Sequence, residues 1–536
     1  MTLSKRFFRF YFLAAFLFAL VLPVNSQERR SDDFAEIRPR SHALDELTVV
    51  FPRAEVELDF RRSIMLSEAQ IFTAIYEGLF SYHPITMQPV RALASRAELS
   101  EDRRQWTFTI RENARFNNGD PVRAQDFKAS WFSMIDPRRN APYSSLFDII
   151  EGARDYRLGI GSAENVGISA PNDRTLVVRL NSPAAFFPSM LCHHAFSPIH
   201  PSMLNEENWR RPISNGPFYI ADIDDDHILL NKNHKYWDAD RVSLNRIIIR
   251  FADADEASAL WNSGEAHWIK GNFNYRALTD LSGIEVHALF ATHYYFIRSA
   301  REPWNDFRLR RALSLALPWE EIRPSFLPAR TLINPIGDYP RIDGIYTTNL
   351  EEAKRLMAEA GFPGGIGLPE LVIRITPSRD AEIIALHMIE AWYGSLGVPV
   401  RVEVIPFADY IDALNDDDYD VGFITWVGNF ADPFTFLKMW CRDSNLNLAR
   451  HDDSDFQALL DRSMNEEGLT RLQTLAEAEA LLLYRGNVLP ISFAPAINII
   501  DLVEIEGWFP TILGIHPFKY MGIRARRPLP GVVMLR

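Results

Sequence analysis

Trp426-Val427-Gly428-Asn429-Phe430-Ala431-Asp432-Pro433 closes a strand-like run, Tyr419-Asp420-Val421-Gly422-Phe423-Ile424-Thr425. Upstream, the pattern alternates. Asn349 with Glu352 three residues on is a helix start, Gly361 is a helix stop, and Ala353, Leu356, Met357 and Ala360 share one apolar face. Next come a strand from Leu371 to Thr376, a helix from about Asp380 to Leu396 stopped by Gly397, and a strand from Val398 to Ile405. A short helix, Phe407 to Leu414, leads to the strand Tyr419 to Trp426. Strands alternating with helices predict an α/β fold with crossover connections and a mostly parallel sheet. Ligands of such sheets sit beyond the carboxyl ends of strands. Trp426 to Asn429 lies at such an end, where an aromatic, a small residue and a short polar turn suit an extended ligand.

Working outward, Leu47 to Phe51 reads as a first strand, and Ser67 to Phe80 has helical spacing with a Ser cap and Glu68 in the first turn. Trp106 to Arg111 alternates like a half-buried strand. Asn118-Gly119-Asp120-Pro121 is a turn, Ala124 to Ile135 suits a helix, and Thr175 to Leu180 and Arg246 to Phe251 are further strands.

The N-terminus reads as an export signal. Lys5, Arg6 and Arg9 precede an apolar run, Phe12 to Leu22, and Val24-Asn25-Ser26 places small residues where cleavage before Gln27 would occur. No Cys follows the run, so no lipobox is expected, and no other apolar stretch is long enough to span a bilayer. A soluble periplasmic chain is expected. The net charge is -13, and removing the basic leader residues makes it more negative still. That argues against nucleic acid as a partner. The two Cys, Cys192 and Cys441, read as separate buried thiols.

Several segments together resemble the family 5 extracellular solute-binding proteins, the peptide and nickel class. They are Tyr76-Glu77-Gly78-Leu79, Trp106 to Arg111, Phe116 to Val122, Ala124-Gln125-Asp126-Phe127, Ser214-Asn215-Gly216-Pro217-Phe218, Tyr236-Trp237-Asp238, Trp304 to Leu313 and Leu489-Pro490-Ile491. They occur in family order and span nearly the whole chain after the leader. The resemblance implies a two-lobed periplasmic binding protein-like fold of the type II class, with three domains and a double hinge. Signal peptide 1–26 would be followed by domain I (27–77, 206–290 and 496–536), an inserted domain II (78–205) and domain III (291–495). It implies a monomeric receptor that hands oligopeptides to the permease pair of an ATP-binding-cassette importer after hinge closure.

For the site, the resemblance implies backbone contacts from Thr425 and Val427 to an extended peptide, with Trp426 as an aromatic wall or a core residue. Tyr143, in Pro142-Tyr143-Ser144-Ser145, matches a block that supplies a cleft aromatic. Asn429 stands where the family has an amine-binding Asp, and Phe423 where its best-known oligopeptide binder has a carboxylate-binding Arg. Ala291 and Val427 occupy the positions of that binder's disulfide. Asp432 either takes the amine or caps the following helix. These departures leave a non-peptide solute, such as a sugar or a metal chelate, as an alternative on the same fold. An exported sensor or chaperone role is also open.

An enzyme is the other class to weigh. No Gly-x-Ser-x-Gly, His-Glu-x-x-His or Gly-x-x-x-x-Gly-Lys motif occurs, so no catalytic residue, metal or cofactor is expected. In Cys192-His193-His194, adjacent His residues on a strand would face opposite ways and could not easily share a metal. Asp224-Asp225-Asp226 and Asp416-Asp417-Asp418 read as solvated turns, and Arg308, Arg310 and Arg311 as helix-surface contacts.

Overall fold

The computed structural model describes residues 46–524 except 185, 206–208, 325, 335, 337 and 445. The leader expected at 1–26 lies outside the described residues, and no described helix is long and apolar enough to cross a membrane.

The organising element is a ten-stranded mixed sheet. Its strands, in chain order, are β1 (Glu46–Pro52), β2 (Phe218–Ile223), β3 (His227–Lys232), β4 (Arg246–Ala252), β5 (Trp268–Lys270), β6 (Ile284–Ile297), β7 (Leu371–Ile375), β8 (Val400–Val404), β9 (Val421–Val427) and β10 (Val488–Ile500). Across the sheet they run β8-β7-β9-β6-β10-β5-β1-β4-β3-β2. The strands at 371–375, 400–404 and 421–427 pair in parallel as their helix crossovers require. The sheet as a whole is not mostly parallel, because β6 and β10 run antiparallel through its centre.

β6 and β10 tie the two ends together. The late half of β10 pairs with β5 on one side and with the early half of β6 on the other, whereas Ala291 to Ile297 pairs with β9. The β6–β10 register breaks between Ala288 and Thr292, where Pro495 faces Ala288. Proline has no N–H for the ladder. Each side of this break has its own helices and apolar packing. Helix Arg379–Ile389 covers β7 through Ala381, Ala385 and Met388, and Tyr295, Ile297, Ile373 and Val421 join the same cluster. β1 buries Val49 in one cluster and Val50 in another, so both of its faces are covered. Between β1 and β2 the chain makes a separate four-stranded antiparallel sheet (94–99, 105–110, 175–179, 168–172) under helix Ala124–Met134.

Several of the quoted sequence blocks meet in one place. Glu77 accepts hydrogen bonds from Tyr236 Oη (2.5 Å), Trp237 Nε1 (2.5 Å) and the Lys519 ammonium (3.1 Å), and its carbonyl accepts from Asn215 Nδ2 (2.7 Å). A Cβ on Gly216 would meet the Ile75 carbonyl carbon at 2.5 Å, so only glycine fits there. This knot also explains a shortened helix. The segment expected to be helical to Phe80 runs Leu66–Ile75, capped through Glu68 rather than Ser67, and Phe80 begins a strand.

Two further readings are corrected. Arg310 is not a surface contact: it is buried and donates to the Trp304 carbonyl at 2.6 Å. His193 and His194 are not on a strand. His193 precedes a 3-10 turn, Ala195 N–H donates to its Nδ1, and the two rings lie 4.0 Å apart. Asp416, Asp417 and Asp418 are exposed, but they also hold the buried side chains of Arg374 and Arg298. Cys192 and Cys441 are free thiols.

Candidate functional site

Gly428 N–H donates to the Phe290 carbonyl (2.7 Å) and Arg298 N–H to the Asp420 carbonyl (2.8 Å), at the two ends of the β6–β9 ladder. Bonded pairs in an antiparallel ladder alternate. Even-numbered residues of β9 therefore bond to β6, and odd-numbered residues turn their N–H and C=O to the other edge. Along that edge β7 pairs only as far as Arg374 opposite Gly422. The Tyr410 hydroxyl then fills the widening gap. It accepts from Phe423 N–H at 3.0 Å and lies 3.0 Å from the carbonyls of Phe423 and Arg374. Beyond it the backbone groups of Thr425 and Val427 have no partner among the described residues. An unpaired strand edge with its N–H and C=O exposed is the template for adding one more strand.

Close packing fixes that edge in place. A Cβ on Gly428 would meet Phe290 Cδ1 at 2.4 Å, and one on Gly422 would meet Phe296 Cζ at 2.5 Å. Thr425 is exposed, and its Oγ1 pairs with His293 Nδ1 at 2.6 Å. Val427 is half-buried against Leu289, Ala291 and Ala494 and sits directly opposite Ala291. The side chain of Trp426 points to the other face of the sheet. It is half-buried, and its indole N–H donates to the Thr435 carbonyl at 3.2 Å. Thus a strand added at this edge would run between Trp426 on one face and Thr425 and Val427 on the other.

Past the strand, the Asn429 backbone is held at both ends. Its N–H donates to Thr435 Oγ1 (2.9 Å) and its carbonyl accepts from Tyr82 Oη (3.0 Å). The side-chain amide of Asn429 has no partner among the described residues. Asp432 is nearly buried and fully engaged. It accepts from Phe434 N–H as a cap (2.9 Å) and from both Arg471 nitrogens (2.8 and 2.9 Å). The structure does not bring Tyr143 to this strand. Its ring packs edge-on against His193 (4.7 Å) and His194 (5.7 Å), and burial raises its hydroxyl well above the ordinary range. Burial also lowers the two imidazoles, His193 to about 3, so both are neutral.

No local spacing pointed to the parts that pack over this strand end. Tyr82 and Phe186, from the 78–205 segment, cover the β9 end. Phe186 stacks on Phe430 (6.3 Å, 5°), packs on Phe434 (5.3 Å) and lies under the Arg471 guanidinium (4.2 Å). The Arg154–Asp443 pair, Lys438–Asp148 (3.8 Å) and Arg103–Glu467 (2.5 Å) extend the contact. A cavity of about 640 Å³ opens beside it, lined from both segments by Asp148, Met190, Phe434, Lys438 and Trp440 and by no residue of 423–429. Partners such as Asp432 and Arg471 lie too far apart in sequence for spacing to reveal them.

The model of the bacterial extracellular solute-binding proteins, family 5 middle region, matches residues 88–447. This chain belongs to that family. The family 5 chain is 29% identical over 435 residues to the oligopeptide-binding protein OppA of Bacillus subtilis strain 168, covering 76% of this chain and 80% of the relative. It is 26% identical over 452 residues to the periplasmic oligopeptide-binding protein OppA of Salmonella typhimurium, covering 80% and 83%. Haemophilus influenzae OppA in complex with the peptide RPPGFSPFR superposes with a TM-score of 0.77 at 21% identity, over 90% of this chain and all of that one. The fold is therefore that of the OppA-type two-lobed binding proteins.

Proposed function

We propose that this family 5 protein is an exported, monomeric receptor that captures oligopeptides between two hinged lobes and delivers them to the permease pair of an ATP-binding-cassette importer. The observation that carries the reading is the free backbone edge at Thr425 and Val427. Main-chain hydrogen bonds hold a ligand without reading its side chains, which suits a carrier of many peptide sequences. In this reading Thr425 and Val427 supply the backbone bonds, Trp426 flanks one face of the added strand, and Asn429 meets one of its ends. Asp432 shapes the site from behind, as a cap with an ion pair. No covalent step is involved.

The lobes are the segments 27–77, 206–290 and 496–536 with the inserted 78–205, against 291–495. The register break at Ala288 and Thr292, opposite Pro495, supports placing the hinge there. Contacts of Tyr82, Phe186 and Arg154 across the lobes support a closed arrangement. Leader 1–26 takes the chain out of the cytoplasm.

Melting of the purified protein against peptides of two to about eight residues, a sugar panel and metal chelates tests this. Ligand that binds only the native state raises the melting temperature by mass action. A shift with peptides supports the reading. A shift only with a sugar or chelate overturns it.

A further inference from the structure

Resting on the peptide reading, we infer that the ligand group seated beside Asn429 is uncharged: this cleft takes peptides whose end is blocked there, or whose chain continues through as amide. Four observations lead to this.

First, the group the free edge leads to is neutral. Thr425 and Val427 point a bound strand toward Asn429, whose side-chain amide is unoccupied among the described residues. An amide oxygen gives an ammonium an acceptor without a countercharge, and a charge removed from water without a counterion is strongly disfavoured. Second, the carboxylate nearest in sequence is not available. Asp432 is gripped by Arg471 through two bonds and caps Phe434 N–H, and the ring of Phe186 covers the guanidinium. Drawing Asp432 to a ligand would leave Arg471 buried without its partner.

Third, the opposite end of the edge is also uncharged. Phe423 has its backbone tied to Tyr410, and its ring lies parallel to His293 at 6.2 Å. Burial holds that imidazole below its ordinary value, so it is neutral at pH 7. Arg374, the cation nearest Phe423 along β7, is committed to Glu403, Asp416 and Asp418. Fourth, the wall from the other lobe is apolar. Leu66 and Leu289 both approach Gly514, and Leu289 packs with Val427. The lysine nearest that wall, Lys270, donates to the Gly514 carbonyl at 2.6 Å and faces Gln70 Oε1 at 3.5 Å, and burial lowers it to about 7.

The test uses the full chain without its leader and two pentapeptides of sequence Ala-Phe-Ala-Phe-Ala. One has free ends, and the other is N-acetylated and C-amidated. Calorimetric titration should give the blocked peptide at least tenfold tighter binding. In Asn429→Asp the free peptide should gain at least tenfold relative to the blocked one, provided its amine lies there. Equal or tighter binding of the free peptide by the unaltered protein overturns the inference while leaving the peptide reading intact. Binding of neither peptide removes the peptide reading, and this inference with it. Should the blocked peptide win and Asn429→Asp weaken the free peptide further, the neutral end stands and the carboxyl end is the one beside Asn429, since two carboxylates repel; no change for either peptide overturns the placement of a peptide end beside Asn429.

Discussion

β1 and β9 are both seven-residue strands of one sheet, and they differ in what their backbones have left over. β1 pairs residue for residue with β4 along its whole length. On its other side it meets β5 at Val49 and Val50, with the His267 ring and backbone bonded to Thr48 just before. β9 pairs fully with β6 but loses β7 after Gly422. Both strands read as apolar runs. A free edge is thus made by a neighbour that ends early and not by an unusual strand.

Proline separates the two cases most sharply. Val49 is fully buried and paired on both sides, so Val49→Pro removes a ladder bond and should cost about 3 kcal/mol or more, enough to prevent folding or lower melting by many degrees. Val427 turns its N–H to the open edge, so Val427→Pro removes no sheet bond and should shift melting little. It should weaken peptide binding at least tenfold, since one lost backbone bond is worth about 1.5 kcal/mol. Circular dichroism melts and titration calorimetry check the pair. If Val427→Pro unfolds the protein as readily as Val49→Pro, the edge is not free.

The second comparison sets Asn429 against Asp432, three residues apart. We expect Asp432→Ala to destabilise by about 3–5 kcal/mol, because Arg471 would be left buried and unpaired. Urea unfolding measures this. Unchanged stability together with lost peptide binding would make Asp432 a ligand group and reverse the assignment. Arg471→Met in the same background should recover part of the loss, since an apolar chain of similar length needs no counterion.

Much of this architecture was legible beforehand. Asn349 does cap helix Leu350–Glu359 by accepting from Glu352 N–H (3.0 Å), and the strands at 371–375, 400–404 and 421–427 fall where the alternation placed them. Ala291 faces Val427 across the ladder, so the two positions that the resemblance pairs do lie side by side. Local periodicity carries such elements because each is set by residues a few positions apart. What it could not carry is long-range. The free edge depends on where β7 stops relative to β9, Tyr410 plugs one carbonyl from a neighbouring helix, and Phe186 reaches Arg471 from the other segment. Tyr143 misled for the same reason. A tyrosine beside small residues reads alike whether it faces a cleft or, as here, two buried imidazoles.

Glu479 offers a pH-dependent contrast with the neutral edge. It sits on the same helix as Arg471, is fully buried, and has no cation beside it among the described residues. Ile333 N–H and the Tyr339 hydroxyl donate to it at 2.8 Å each, which pins the loop that passes Thr292. Burial outweighs those bonds and pushes its carboxyl from 4.5 up to about 7. The folded value lies above the unfolded one, so the stability this group contributes is present below pH 4.5 and is lost as pH rises through 7. The full difference is about 3 kcal/mol. Glu479→Gln should therefore be more stable than the parent at pH 8 and lose that advantage by pH 5, as seen in melts across the range. A constant offset at every pH would mean that Glu479 is ionised throughout.

The smallest effect we expect tests the edge most locally. Gly422 and Gly428 both turn their backbone bonds toward β6, and a methyl on either would strike a phenylalanine ring, Phe296 at 2.5 Å or Phe290 at 2.4 Å. Overpacking of this kind costs about 1–3 kcal/mol. Gly422 lies where β7 still flanks β9, so Gly422→Ala should lower stability and leave affinity alone. Gly428 lies beyond the last ladder pair, and a Cβ there would also meet Cγ2 of Thr435 at 3.0 Å, the residue whose Oγ1 holds Asn429. A methyl there pushes the end of β9 off β6 and into the space that an added strand would occupy. Gly428→Ala should therefore lower stability by a similar amount and also weaken peptide binding about threefold to tenfold, by the affinity equivalent of about 1 kcal/mol. Equal loss of affinity in both variants would show that β9 moves as one rigid piece, and that its two halves, so different in their pairing, do not differ in what they do.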